Sequence, residues 1–335
     1  MVRAMRKAGV SSILLVVALL AVAVIADAQQ PEQKVYRVGV LRSDAPSIFA
    51  TRNEAFRQGL HELGYVEGKN TVIEYRYAEG KLDRLPQLAS ELVDHKVDVI
   101  VTGGNQATLA AKQATSTIPI VVGSAGNLVQ LGVVASLAHP GGNVTGSTSI
   151  SPDLRRKRLR ILKESLPKIS RVAVISYRRS EASRDREEVA QTEIAAKALG
   201  ITIQSIQVQA LEDFRDAYAA IRKDHADALV IIQSSFTFIN REQLFAFAAK
   251  RRLASMCEAL LWTENGCLMS YGPDLPSQYH RAAFFVDKIL KGTHPGDIPV
   301  ESPTKFDFVI NLKAAKQIAL VIPPTVLARA DRVIK

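Results

Sequence analysis

From Val35 onward the chain repeats one pattern twice over: a short apolar, β-branched run, then a longer amphipathic stretch. Val38–Leu41, Val97–Val101 (Asp98 apart) and Ile118–Val122 are apolar and short, as expected of strands buried on both faces. Thr71–Tyr77 alternates like a strand with one drier face. Between these runs, Phe49–Leu63, Asp83–His95 and Gln106–Ala114 carry helical spacing, and the first of them stops at Gly64. The rhythm restarts at Arg171–Ile175. It continues through a helix near Glu187–Leu199, a strand at Ile201–Ile206, a helix at Leu211–Arg222 and a strand at Ala228–Ile232. A helix at Arg241–Arg252 and strands near Ser255–Cys257 and Cys267–Ser270 complete the second run. Strands that alternate with helices form parallel sheets with helices on both faces.

The two runs are separated by Pro140–Gly146, whose Pro/Gly/Asn composition marks a loop or boundary. A weak internal echo, Lys96–Val101 against His225–Val230, points to two similar lobes. After the second run come a helix at Asp274–Leu290, a strand at Phe306–Ile310 and a helix over Lys313–Leu320 capped by Asn311. These late elements have a place to pack if the chain crosses back between lobes. The expected fold is therefore α/β, with two doubly wound parallel-sheet lobes joined by several crossing strands. The first lobe is expected to span residues 34–147 plus about 272–303, and the second 148–271 plus about 304–335.

The N-terminus sets the compartment. Arg3, Arg6 and Lys7 precede an apolar run from Gly9 to Ala26, and Ala26-Asp27-Ala28 offers small residues where a signal peptidase cuts. That is a secretory leader, residues 1–28, cleaved after Ala28, and a periplasmic destination. The rival reading is a membrane anchor. The net charge of +10 is compatible with an anionic ligand. The basic residues are nevertheless dispersed, apart from a cluster at Arg155–Arg158 and Arg160, which reads as a solvated helix face; no nucleic-acid partner is expected. The two cysteines, Cys257 and Cys267, are expected as buried thiols, although export makes a disulfide chemically possible. No further ligands stand at metal-site spacing, the six histidines are scattered, and neither a Gly-x-Ser-x-Gly elbow nor a dinucleotide fingerprint occurs. Neither a metal, a cofactor nor a catalytic residue is expected.

Ligands of wound parallel sheets bind beyond the carboxyl ends of the strands. In the first half that rule selects Arg42–Pro46, Thr102–Asn105 and Gly123–Asn127; in the second, Ser176–Arg179, Gln233–Phe236 and Glu258-Ala259. Thr102-Gly103-Gly104-Asn105 is the most informative, because glycines admit a ligand close to the backbone and a helix start attracts a carboxylate or phosphate. It can equally be a plain turn capped by Asn105. Ser124 and Asn127 could bond a ligand or close a turn, Tyr177 and Phe236 could stack on a ring or pack, and Glu258 could meet a ligand amine or a nearby arginine.

These residues, taken in order, resemble the substrate-binding proteins of ABC transporters of the tryptophan/tyrosine-transporter-like type. The resemblance runs through Phe56–Leu60, Leu63–Asn70, Ile73–Arg76, Arg84–Pro86, Val97–Ile100, Ile118–Val121, Pro140–Gly146, Leu268–Pro273, Ile289–Gly292, Pro303–Phe306 and Val309–Lys313. It implies a type I periplasmic-binding-protein clamshell without catalysis. The implied role is capture of a small, amino-acid-like solute by hinge closure, for delivery to a permease/ATPase complex in the membrane; the basic Arg178 and Arg179 point to a carboxylate or other anion if their side chains face the cleft. Carried over by position, the ligand contacts would be Ser43, Gly104, Asn105, Ser124 and Asn127 on one lobe, and Tyr177, Ser234, Ser235 and Glu258 on the other. The chain departs from the family at Gly126-Asn127-Leu128, Ser176–Arg179 and Ser234–Phe236, which makes the expected site less acidic than the family pattern. A monomer is expected. An exported sensor subunit or an exported hydrolase are the alternatives.

Overall fold

The computed structural model describes residues 34–149, 153–177 and 185–335; the leader expected at residues 1–28, and Arg178 and Arg179, lie outside them. Two sheets organise the chain. The first has the order β2-β1-β3-β4-β5, from β1 (Tyr36–Arg42), β2 (Thr71–Tyr77), β3 (Val99–Gly103), β4 (Ile120–Ala125) and β5 (Val144–Thr148). All its pairings are parallel. The second sheet is seven-stranded, ordered β12-β11-β10-β9-β8-β6-β7. Its strands are β6 (Arg171–Tyr177), β7 (Thr202–Val208), β8 (Ala228–Ile231), β9 (Ala254–Cys257), β10 (Met269–Pro273), β11 (Phe306–Asn311) and β12 (Arg332–Ile334). Only the β10–β11 pairing is antiparallel.

Strand alternation explains how each sheet is covered. In β1, Val38 and Val40 face one cluster with Phe56, Leu60, Tyr279 and Phe285. Leu41 faces the other, with Leu88, Leu92, Ala107 and Ala111. The first face is therefore roofed by α1 (Pro46–Glu62) and α10 (Leu275–Leu290), the second by α2 (Leu85–Asp94) and α3 (Asn105–Ala114). In the second sheet, Val172 and Val174 point toward α4 (Leu154–Ser165), α5 (Asp185–Lys197), α11 (Leu312–Gln317) and α12 (Pro324–Leu327). Ala173 and Ile175 point toward α6 (Asp213–Lys223), α7 (Ser235–Ile239), α8 (Arg241–Arg251) and α9 (Leu260–Glu264).

The chain passes between the sheets three times: after β5, from β10 into α10, and from the Ser147–Glu301 bridge toward β11. Helix α10 follows β10 in sequence yet packs on α1 and β4 of the first sheet. Gly59 makes that packing possible, because a Cβ there would lie 2.6 Å from the His280 carbonyl oxygen. Asp274 starts α10 by accepting the Ser277 N–H, and Asn311 starts α11 by accepting the Ala314 N–H, the cap its sequence predicts. Among the described residues no helix is long and apolar enough to cross a membrane.

Three expectations are corrected. Cys257 and Cys267 are not free thiols but a disulfide with Cα atoms 6.5 Å apart. Cys257 ends β9, and Cys267 stands two residues before β10, the strand that pairs with it. The segment Pro140–Gly146 is not wholly a boundary loop, for β5 begins at Val144 and fills the sheet edge. Asn105 does not cap α3: the cap position falls on Gly104, at φ 80°, and no side chain closes it.

Candidate ligand-binding cleft

The carboxyl ends of β1, β3 and β4 carry the candidate loops of the first lobe. Those loops are laced to one another. The Gly104 N–H donates to the Ser124 carbonyl at 2.8 Å, and Asn105 Oδ1 accepts the Gly126 N–H at 2.8 Å. Ser124 Oγ donates to Gln278 Oε1 at 2.9 Å, and Asn127 Oδ1 accepts the N–H groups of Val129 and Gln130. Ser43 is buried and donates to Asp44 Oδ2 at 3.0 Å. The five first-lobe candidates thus lie on one strand-end rim, with several side chains engaged in shaping it.

The second-lobe candidates are less uniform. The Tyr177 ring stacks on Phe236 at 4.9 Å, and Phe236 in turn on Phe214 at 5.8 Å, so the end of β6 presents a continuous aromatic face. Ser234 caps α7 in a reciprocal box with Thr237. The side chain of Ser235 is outside the described set. Glu258 meets an arginine, as one of its two sequence readings allows: its Oε1 accepts from Arg158 at 2.7 Å. Arg158 departs from the solvated reading that fits Arg156, Lys157 and Arg160, since it is only 7% exposed and also donates to the Tyr271 carbonyl at 2.7 Å.

Sequence reasoning passed over the charges beneath the rim. Arg42 is fully buried, its guanidinium carbon 4.5 Å from the Tyr279 ring centroid and 5.1 Å from that of Phe49. Arg52 lies 4.8 Å from the same Phe49 ring. Tyr279 crosses directly over the ends of β3 and β4, where Cβ atoms on Gly103 or Gly123 would clash with its ring or hydroxyl. The one available signal was the strand period, which puts Arg42 on the same inward face as Val38 and Val40. Among the described residues no group of three His, Cys, Asp or Glu side chains could hold a metal ion.

The two lobes touch around this rim. Ile48 of α1 and Leu275 of α10 pack against the Phe214/Trp262 cluster of the second sheet. A Cβ on Gly80 would lie 3.4 Å from Ile239 at the end of α7. Asp44 is buried, which pushes its carboxyl above the usual range; the Ser43 hydroxyl and the charges of Arg52 and of Arg241, from the opposite lobe, pull it back only in part. The sign follows. The folded state holds this proton more tightly than the unfolded chain, whose aspartates titrate near pH ~3.9. Ionised Asp44 therefore opposes folding above its raised value, and acidification through that value removes the opposition. Asp44→Asn is expected to raise the melting temperature of the unliganded protein at pH ~7.5, with the gain shrinking toward pH ~4. Parallel melts of both proteins across that range check it; a constant gain, or a loss at neutral pH, would contradict it.

Against this geometry, comparison with known proteins is direct. The family described as ABC transporter substrate binding protein matches residues 40–334. A tyrosine-binding protein of Clostridioides difficile is 25% identical over 259 residues, which are 77% of this chain and 73% of that protein. The crystal structure of a conserved domain protein from Vibrio cholerae superposes with a TM-score of 0.82 at 28% identity, covering 90% of this chain and 100% of its own. A Streptococcus pneumoniae ABC domain in complex with L-Trp gives 0.81 at 21% identity, again covering 90% and 100%, and so shares the fold. The two-lobed, mostly parallel architecture is that of type I periplasmic binding proteins.

Proposed function

The chain belongs to the ABC transporter substrate-binding protein family, and from that premise we propose that it is the periplasmic solute receptor of an importer. It closes two lobes over a small molecule and presents the closed form to a permease/ATPase complex. The observation that carries this reading is the meeting of both lobes at the carboxyl ends of their strands. There Ile48 rests on the second lobe's core, and Asp44 lies under the influence of Arg241 from across the cleft. The reading divides the chain at residues 34–147 with about 272–303, and 148–271 with about 304–335. It assigns the ligand contacts to Ser43 and the Gly104-Asn105 and Ser124–Asn127 turns on one lip, and to Tyr177, Ser234 and Ser235 on the other. Glu258 stands behind that second lip, holding Arg158.

Hinge closure follows from a difference in affinity: a ligand favours the closed form only through contacts that the open form lacks. A thermal-shift screen of amino acids, aromatic acids, dicarboxylates and nucleosides tests the reading. At ~100 times its dissociation constant, a true ligand adds about 2.7 kcal/mol. It should also shrink the radius of gyration in solution scattering. Catalytic turnover of a hit, or binding without compaction, would count against a receptor that works by closure.

A further inference from the structure

Resting on the receptor reading, we propose that the ligand is a small carboxylate and that Arg42 is the residue that anchors it. Arg42 is 0% exposed, and among the described residues its Nε, Nη1 and Nη2 have no hydrogen-bond partner. A buried guanidinium without an acceptor is costly, and proteins seldom leave one so. The rings of Phe49 and Tyr279 do not remove the problem. Aromatic rings attract the cation through their π faces, whereas the five N–H donors point outward in the guanidinium plane. What the rings do is hold the side chain. The edge remains unpaired, and the acceptor that matches it is a planar carboxylate taking two parallel bonds.

That edge also lies beside a second electropositive feature. Nη1 lies against the end of β3, where a Cβ on Gly103 would be only 2.9 Å from it. The next residue, Gly104, is the cap position of α3; no side chain closes the cap and no acid stands in the first turn. A ten-residue helix with such a start is itself electropositive at that end. Two positive features, one of them a fully buried orphan, therefore converge on Gly103-Gly104. Asp44, a buried acid two residues along the chain, makes no hydrogen bond to the Arg42 guanidinium.

The test is a melting-temperature titration of the purified protein with acetate, benzoate and L-tyrosine. Each is matched by its amide, which keeps the shape and loses the charge, and glucose and myo-inositol serve as neutral controls. The expected result is stabilisation by at least one carboxylate and none by its amide. Arg42→Gln and Arg42→Lys should each weaken that carboxylate about tenfold or more, because lysine restores the charge without the planar fork. The Gln variant, relieved of a buried unpaired charge, should melt no lower than wild type without ligand. Neutral solutes that bind when carboxylates do not, or amides that bind as well as acids, overturn the anchor and leave the receptor reading standing. An unchanged carboxylate affinity in both variants overturns it equally. Silence from every solute would remove the support for both.

Discussion

Replacing Glu258 by leucine is expected to destabilise the protein by about 3 kcal/mol, more than replacing its partner Arg158 by methionine. The asymmetry comes from burial. The Arg158 side chain is 8% exposed and that of Glu258 27%. Losing the acid strands a cation that water does not reach, with only the Tyr271 carbonyl left to it at 2.7 Å. Losing the arginine leaves a carboxylate that still touches solvent, and methionine occupies much of the vacated volume beside Leu154, Leu159 and Leu162. Removing both charges, as Arg158→Met with Glu258→Leu, should recover part of the loss, since an apolar pair can replace a buried ion pair at little cost. Denaturant unfolding of the three variants, read as a double-mutant cycle, checks this. Equal losses for the two single changes would show that the pair behaves as an ordinary surface bridge.

Arg158 also shows where the sequence stops being legible. In Arg155-Arg156-Lys157-Arg158 the four positions are chemically alike, and composition assigns them all to solvent. Helical phase separates them: Arg158 lies four residues after the buried Leu154 and next to Leu159, so it alone among them turns inward. The strands were readable because burial on both faces leaves an apolar run that needs no knowledge of partners. Short helices such as α7 and α9 were not, because five residues hold too little of the 3.6-residue period to register. The disulfide was hidden for a different reason. Cys257 and Cys267 meet only because β9 and β10 are neighbours in the sheet, and strand order is a tertiary fact.

The candidate rim follows the same division. Its turns announce themselves through glycines and small polar residues after buried strands, so Gly104, Asn105, Ser124 and Asn127 were found. Arg42 stands at the end of such a strand and looks like the first residue of a loop. Its burial depends on Phe49 from α1 and Tyr279 from α10, and α10 returns to the first sheet only after the whole second run of strands. No local pattern carries that information.

That long-range contact predicts the second large effect. A Cβ at Gly103 would lie 2.0 Å from the Tyr279 hydroxyl oxygen, 2.9 Å from Arg42 Nη1 and 3.3 Å from Tyr279 Cζ. A flexible surface side chain would step aside, but Tyr279 is 1% exposed and its ring is also pressed against Gly123, where a Cβ would meet Cε1 at 2.5 Å. Gly103→Ala is therefore expected to cost about 3 kcal/mol, the upper end for overpacking a core. The nearest obstacle is a single oxygen, so Tyr279→Phe should restore roughly half of that loss when combined with Gly103→Ala. The remaining half measures the crowding of Arg42. A rescue larger than this would mean that Arg42 yields freely, whereas no rescue would place the strain in the β3 backbone. Calorimetric melts of the wild type, both single variants and the double variant decide between them. The same four proteins, titrated with whichever solute the screen identifies, show whether the Tyr279 hydroxyl keeps the glycine floor open for a ligand or only fills it.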